Sequence, residues 1–191
     1  MQEAFVSDRA LARDAADART ADRLNRLADL AQQISRRREL SAGEVSEDIA
    51  DQVDGQASDP LPARPFLEAL LGAVVEGPHR IAIDCAADLA LPASELVALG
   101  AVACEAVDNA LNHAFPSGGE GRIWVRLVEE RGRTLLTVRD SGLGIDDLAH
   151  GAHAGGARMI DLLAGSLGGY ARLGSAPFGG GLVTVSYPTT H

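Results

Sequence analysis

Three side chains able to hold a cation, move a proton or accept a hydrogen bond recur every four residues in EAVDNALNHAF: Glu105, Asn109 and His113. That spacing puts them on one face of a helix, with Asp108 and Asn112 at its margins. The surrounding run, VALGAVACEAVDNALNHAF, is otherwise apolar. A polar stripe there is costly unless it lines a cleft or meets solvent, and an ordinary wet helix face explains it as well as a site does. A second group is Asp140-Ser141-Gly142-Leu143-Gly144, directly after the alternating run RTLLTVRD. A carboxylate at a strand end can accept hydrogen bonds from an amine, and Gly142 and Gly144 let the backbone turn close under a flat ligand. Asp-Ser-Gly is also common turn chemistry. A third group, Gly155-Gly156-Ala157-Arg158, opens a helical run, where exposed N–H groups suit an anion. Gly179-Gly180-Gly181, before the last apolar run, reads as a turn.

These residues must be positioned by a scaffold whose elements the pattern indicates. Residues from Ser7 to about Arg38 hold no Gly or Pro, and Leu24, Leu27, Ala31 and Ile34 form one apolar stripe. The pattern predicts a long amphipathic helix with Ser7 as N-cap. Ser41 has the serine-to-glutamate spacing of a capping box with Glu44, and Val45, Ile49 and Val53 share one side of a second helix ending near Gly55. So short a connection predicts an antiparallel hairpin. Its stripe needs a second copy or the following domain, and a four-helix homodimer is the stronger form of that expectation.

The polar, proline-bearing stretch Gln56 to Pro65 reads as a linker. Beyond it the pattern predicts a helix over Phe66–Val75, a strand over Arg80–Ala86 and a long helix from Pro92 to about Ala114. Two strands, Arg122–Glu130 and Arg133–Asp140, meet at a tight Arg131-Gly132 turn. A helix from about Gly156 to Leu167 and strands over Gly169–Leu173 and Leu182–Tyr187 complete the chain. Helices on an antiparallel or mixed sheet are the economical α+β solution.

Composition narrows the function. With 191 residues, 46% of them hydrophobic, the chain can bury a core. Its 27 acids against 17 bases, all arginine, leave a net charge of −10, which argues against nucleic acid as the main partner. The absence of lysine excludes any mechanism needing a lysine amine. Cys85 and Cys104 have no metal or disulfide spacing and read as small core residues in a reducing compartment. No stretch approaches the ~18 apolar residues of a membrane span, and no basic-then-apolar leader opens the chain. The expectation is a cytoplasmic protein without a membrane segment.

In order and spacing, EAVDNALNHAF, two strands, DSGLGI, GGARMIDLLAGSLGG and GGGLVTVSYP resemble the ATP-binding domain of sensor histidine kinases. That domain has the Bergerat fold, shared with gyrase, Hsp90 and MutL. The likeness runs from about Pro78 to Pro188, and GPHRI, NALNHAFP and GRI have the flavour of the HWE and related second-type histidine kinases. The resemblance implies an α+β architecture. A helical hairpin for dimerisation or phosphotransfer (1–58) and a linker (59–65) would precede a Bergerat α/β sandwich (66–191). It implies ATP and Mg²⁺ as ligands, with Asn109 holding the metal and Glu105 orienting or deprotonating the attacking group. Asp140 would accept the adenine amine over Gly142 and Gly144, and Gly155, Gly156 and Arg158 would serve the phosphates. His113 would be a pocket or structural residue. A response-regulator receiver domain and a second copy of the chain would be the partners.

The sequence also departs from that family. In the run where a histidine would carry the phosphate, Asn25-Arg26-Leu27-Ala28-Asp29, the histidine place is taken by Asn25. An amide nitrogen is not nucleophilic, and the first histidine of the chain is His79. Asn112 stands where a basic residue is common, and the lid segment, Ile145 to Ala154, is short and acidic, leaving Arg158 to compensate. The expectation is therefore an ATP-binding member whose hairpin autophosphorylation is lost or redirected, with transfer and mere binding of nucleotide both open. The alternatives are a non-catalytic adaptor docking a response regulator and, ranked last because those proteins usually lack a preceding hairpin, an anti-sigma-factor-type serine kinase.

Overall fold

The computed structural model describes residues 2–36, 42–53, 59–72, 74, 79–115, 120–144 and 154–189. Helix α1 (Gln2–Ser35) starts earlier than expected, so Ser7 lies inside it and is no N-cap. Nothing in QEAFV breaks a helix, and Glu and Ala favour one. Helix α2 spans Ala42–Val53; its expected cap, Ser41, and its end near Gly55 lie outside the described residues.

The stripe of Leu24, Leu27, Ala31 and Ile34 is buried within this one chain. It packs on α3 (Ala63–Gly72) and α4 (Ala93–Asn109), and Gln32 Nε2 donates to Leu70 O at 3.5 Å. Helix α2 lies instead on α4 and on α5 (Ala154–Ser166). The apolar face that would have joined two copies is thus already covered by the chain's own helices. Asn25 sits on the exposed side of α1, beside an Arg26–Asp22 ion pair of 2.7 Å.

The presumed linker carries structure. Strand β1 (Leu61–Pro62) pairs antiparallel with β3 (Ala90–Leu91), and Ala63 N donates to Leu89 O at 2.9 Å. Leu61 and Ala63 are buried, and α3 begins three residues before the expected Phe66. The prolines mislead here: Pro65 stands in the first turn of a helix, where its missing N–H is harmless.

The main sheet has five strands in the order β2-β4-β5-β7-β6: β2 (Arg80–Cys85), β4 (Arg122–Glu130), β5 (Arg133–Asp140), β7 (Gly181–Pro188) and β6 (Tyr170–Ser175). The β2–β4 pair is parallel, with α4 in the crossover, and the other pairs are antiparallel. Arg131 and Gly132 join β4 to β5 with φ of 53° and 73°, both positive as a two-residue hairpin turn demands.

Helix α4 is the centre of the molecule. One side meets the sheet and the other meets α1, α2, α3 and α5, so every residue from Leu96 to Val107 is buried. An all-round apolar helix is what that position requires. Its last stretch, Ala110–Ala114, widens into a π-helical turn where the sequence predicted a plain helix. Among the described residues no helix is long and apolar enough to cross a membrane.

Candidate functional site

The C-terminal end of α4, the end of β5 and the start of β7 enclose a cavity of about 140 Å³. Asp140, last residue of β5, is 7% exposed and reaches it with a carboxylate fixed at both oxygens. Gly142 N donates to Oδ1 at 2.8 Å and Gly181 N to Oδ2 at 2.9 Å. Each carboxylate oxygen can accept more than one bond, so the group keeps acceptor capacity for a ligand amine. The loop after it is held down by Leu143 N donating to Ala114 O at 3.1 Å. Gly180, with φ +85°, lies so close that an added Cβ would strike the Asp140 carbonyl oxygen.

In the sequence the triple glycine reads only as a turn, whereas the structure sets Gly180 and Gly181 against Asp140. The triplet's position before the last strand was the available signal, but Gly181 and Asp140 lie 41 residues apart, and only the β5–β7 pairing joins them.

Across the cavity from Asp140 stand Asn109, Ala110, His113 and Ala114, with Val138, Leu173, Leu182 and Val183 supplying apolar walls. The π turn keeps His113 on the cavity rim, exposed. Glu105 lies one turn deeper, 9% exposed, and does not line the cavity. Asn109 Nδ2 donates to Glu105 Oε1 at 3.4 Å. That bond fixes the amide's orientation and leaves its carbonyl oxygen as the other branch.

Helix α5 begins at Ala154, so Gly155 and Gly156 lie inside its first turn and do not precede it. Gly156 touches this pair directly: an added Cβ would run into Glu105 Oε1 and lie 3.1 Å from Asn109 Nδ2. Ala157 lines the cavity, whereas Arg158 is exposed and does not. No arginine is among the lining residues, and the first turn of α5, which brings Ala157 to the cavity, contributes its positive dipole end. The lid segment 145–153 lies outside the described residues.

Both thiols are withdrawn from chemistry. Burial, with Asp108 adding, pushes Cys104 up to about 12, and burial likewise raises Cys85. Thiolate reactivity requires the opposite shift.

A Mg-bound adenine nucleotide fits this donor set. The cavity is close to the ~150 Å³ known to accept a single aromatic ring, its walls are apolar, and a fixed carboxylate faces in. The phosphates must then leave it past Asn109 and the start of α5. Mg²⁺ takes oxygen ligands and is commonly held by one or two protein groups plus phosphates and water. Asn109 offers one such oxygen, and among the described residues no cluster of three or more His, Cys, Asp or Glu competes for a metal.

The protein from Bacillus licheniformis named anti-sigma F factor is 39% identical over 54 residues, covering 28% of this chain and 37% of that one. The anti-sigma F factor of Bacillus cereus is 34% identical over 70 residues, covering 37% and 47%. The chain thus matches less than half the length of these relatives.

Among solved structures, the histidine kinase domain of the Erythrobacter litoralis EL346 blue-light activated histidine kinase superposes with a TM-score of 0.61. The identity is 18%, over 88% of this chain and 93% of that one. The histidine kinase domain of the Escherichia coli osmosensor EnvZ gives 0.52 at 16% identity, over 72% and 93%. These likenesses establish the fold. The profile for the histidine kinase-, DNA gyrase B- and HSP90-like ATPases matches residues 95–191, just over half of the chain and every residue of the cavity. The chain belongs to that ATPase family.

Proposed function

We propose that this protein binds Mg·ATP or Mg·ADP in the Asp140 cavity and serves two-component-type signalling with its phosphotransfer directed away from its own N-terminal helices. The observation that carries the reading is Asp140, locked by Gly142 and Gly181 and facing Asn109 across an apolar, ring-sized hollow. Bound ATP supplies a transferable γ-phosphoryl group. Asp140 accepts the base's exocyclic amine, Val138, Leu182 and Val183 exclude water from the ring, and Asn109 presents its carbonyl oxygen to the metal. Glu105, bonded to Asn109 and lying against Gly156, is the residue this reading assigns to orient or take a proton from an incoming acceptor.

The acceptor is a separate protein. Neither N-terminal helix contains histidine, Asn25 carries a non-nucleophilic amide, and both helices are packed on the ATPase-like layer. In the histidine-kinase reading, α1 and α2 dock a response-regulator receiver domain. The local 39% identity to an anti-sigma F factor favours a second reading, in which a serine on a partner accepts the phosphate.

Calorimetry with ADP tests the site: the expected affinity is micromolar to millimolar, about −4 to −8 kcal/mol. No heat and no thermal shift at saturating nucleotide would remove the proposal. Incubation with γ-labelled ATP and a candidate partner separates the two acceptor classes, since phosphoserine survives acid and phosphohistidine or phosphoaspartate does not.

A further inference from the structure

The helices cover one face of the sheet, and the opposite face carries a charge unlike the rest of the molecule. Strand register places six arginines there (Arg80, Arg122, Arg126, Arg133, Arg139 and Arg172) against two acids, Asp84 and Glu130. In a chain of net charge −10, this is a local surplus of the opposite sign. Both acids are already engaged by one arginine: Arg126 lies 3.2 Å from Asp84 and 3.1 Å from Glu130. No described carboxylate pairs with the other five.

Those five fall into two corners. At one, Arg80 and Arg122 are register partners on parallel strands, like charges side by side, an arrangement that destabilises a sheet unless an anion sits over it. Arg139 stands diagonally from Arg122, its guanidinium 5.3 Å above the Trp124 ring and its Nε buried without an acceptor. At the other corner, Arg133 and Arg172 both lie on Tyr170, at 5.4 and 5.5 Å. Arg133 is further fixed by Ser186, to Oγ at 2.8 Å and to O at 3.1 Å. Between the corners runs a shallow floor of Leu135, Thr137 and Thr184, half-buried. From β4 to β6 the floor spans three strand spacings, about 14 Å at ~4.8 Å each.

We propose that this open sheet face is a docking surface for an acidic segment of a partner protein, laid across the strands with carboxylates in both corners. The aromatic rings decide between protein and nucleic acid. A nucleic-acid platform offers its rings to bases, but Trp124 and Tyr170 already lie under guanidiniums. Their part is to hold the planar forks in place, and a pre-organised fork suits carboxylates. A long phosphate backbone would also have to cross the acidic remainder of the surface.

The test uses the full chain and two labelled probes, a short oligoglutamate peptide and a single-stranded oligothymidylate of equal length. Trp124 is the only tryptophan, so its emission reports occupancy at the face itself. The expected result is peptide binding that shifts Trp124 emission and weakens with salt. The double variant Arg80→Glu with Arg122→Glu, and separately Arg172→Glu, should each weaken it at least about tenfold, the least that losing close charge pairs costs. Melting temperature and ADP affinity should stay at parental values, which separates loss of docking from loss of fold and from failure of the nucleotide reading. No peptide binding, binding indifferent to both variants, or tighter binding of the oligothymidylate would each overturn the proposal.

Discussion

The cavity beside Asp140 holds about 140 Å³, whereas a cleft bounded by Ile49, Val53, Glu95, Ala98, Leu167 and Tyr187 holds about 430 Å³. Both contain a buried polar group at short hydrogen-bonding distance, but the groups are held in opposite ways. The Tyr187 hydroxyl donates its one proton to Glu95 Oε2 at 2.6 Å, a side-chain bond that ties β7 to the first turn of α4. Asp140 is held by two backbone N–H groups, which fix a carboxylate and leave it able to accept more. The larger hollow is therefore a joint between two elements, and the smaller one is the candidate nucleotide site. What separates them is whether a side chain or the backbone holds the buried group, and volume does not report that.

The sharpest way to break this comparison is Asp140→Ala. It removes the acceptor and leaves the Gly142 and Gly181 N–H groups buried without partners, each costing about 1–3 kcal/mol. ADP affinity measured by calorimetry should fall at least about 100-fold, with a lowered melting temperature. Asp140→Asn, which turns one acceptor into a donor, should fall about tenfold, near the worth of one hydrogen bond to a charged group. Parental affinity in both variants would mean that adenine binds elsewhere.

Next in size is the metal side of the same cavity. Asn109→Ala should abolish the Mg²⁺-dependent gain in ADP affinity, about tenfold or more, while adenosine, which needs no metal, binds as before. Equal losses for ADP and adenosine would point to damage to the base pocket instead. Gly156→Ala reaches the same pair from α5. Its Cβ forces Glu105 to move, at a stability cost of about 1–2 kcal/mol, read from denaturant midpoints.

How much of this was readable beforehand depends on sequence distance. Strands β4 and β5 fall on Arg122–Glu130 and Arg133–Asp140 as expected, because strict alternation and an Arg-Gly turn are local signals. The four-residue spacing of Glu105 and Asn109 is local too, and the helix realises it as a hydrogen bond. The two-residue strands β1 and β3 left no local trace, since each is defined only by the other. The partner of the Leu24–Ile34 stripe was equally hidden. An apolar face shows that something covers it, and whether that is a second copy or the chain's own α3 and α4 is decided by tertiary packing. The π turn at Ala110–Ala114 has no sequence mark at all.

On the cleft side, Tyr187→Phe should cost about 1 kcal/mol and leave ADP affinity untouched. A change in nucleotide binding would show that the joint is coupled to the site. Alkaline titration adds a second reading. Burial first, then the bond to Glu95, holds the Tyr187 hydroxyl well above its ordinary value of 10.0. The folded chain keeps that proton where the unfolded chain loses it, so this contribution to stability is whole below about pH 10 and is lost as pH rises further. The phenylalanine variant should show a shallower decline over the same range.

The smallest effect is the control that isolates geometry from composition. Gly165 sits in α5 like Gly156, but an added Cβ there meets nothing within 4 Å. Gly165→Ala restricts only the unfolded chain and should stabilise by about 0.4–1 kcal/mol, while Gly156→Ala destabilises. The same substitution, nine positions further along one helix, then changes sign according to whether Glu105 and Asn109 lie against it. If Gly156→Ala stabilised as Gly165→Ala does, the first turn of α5 would not rest on that pair.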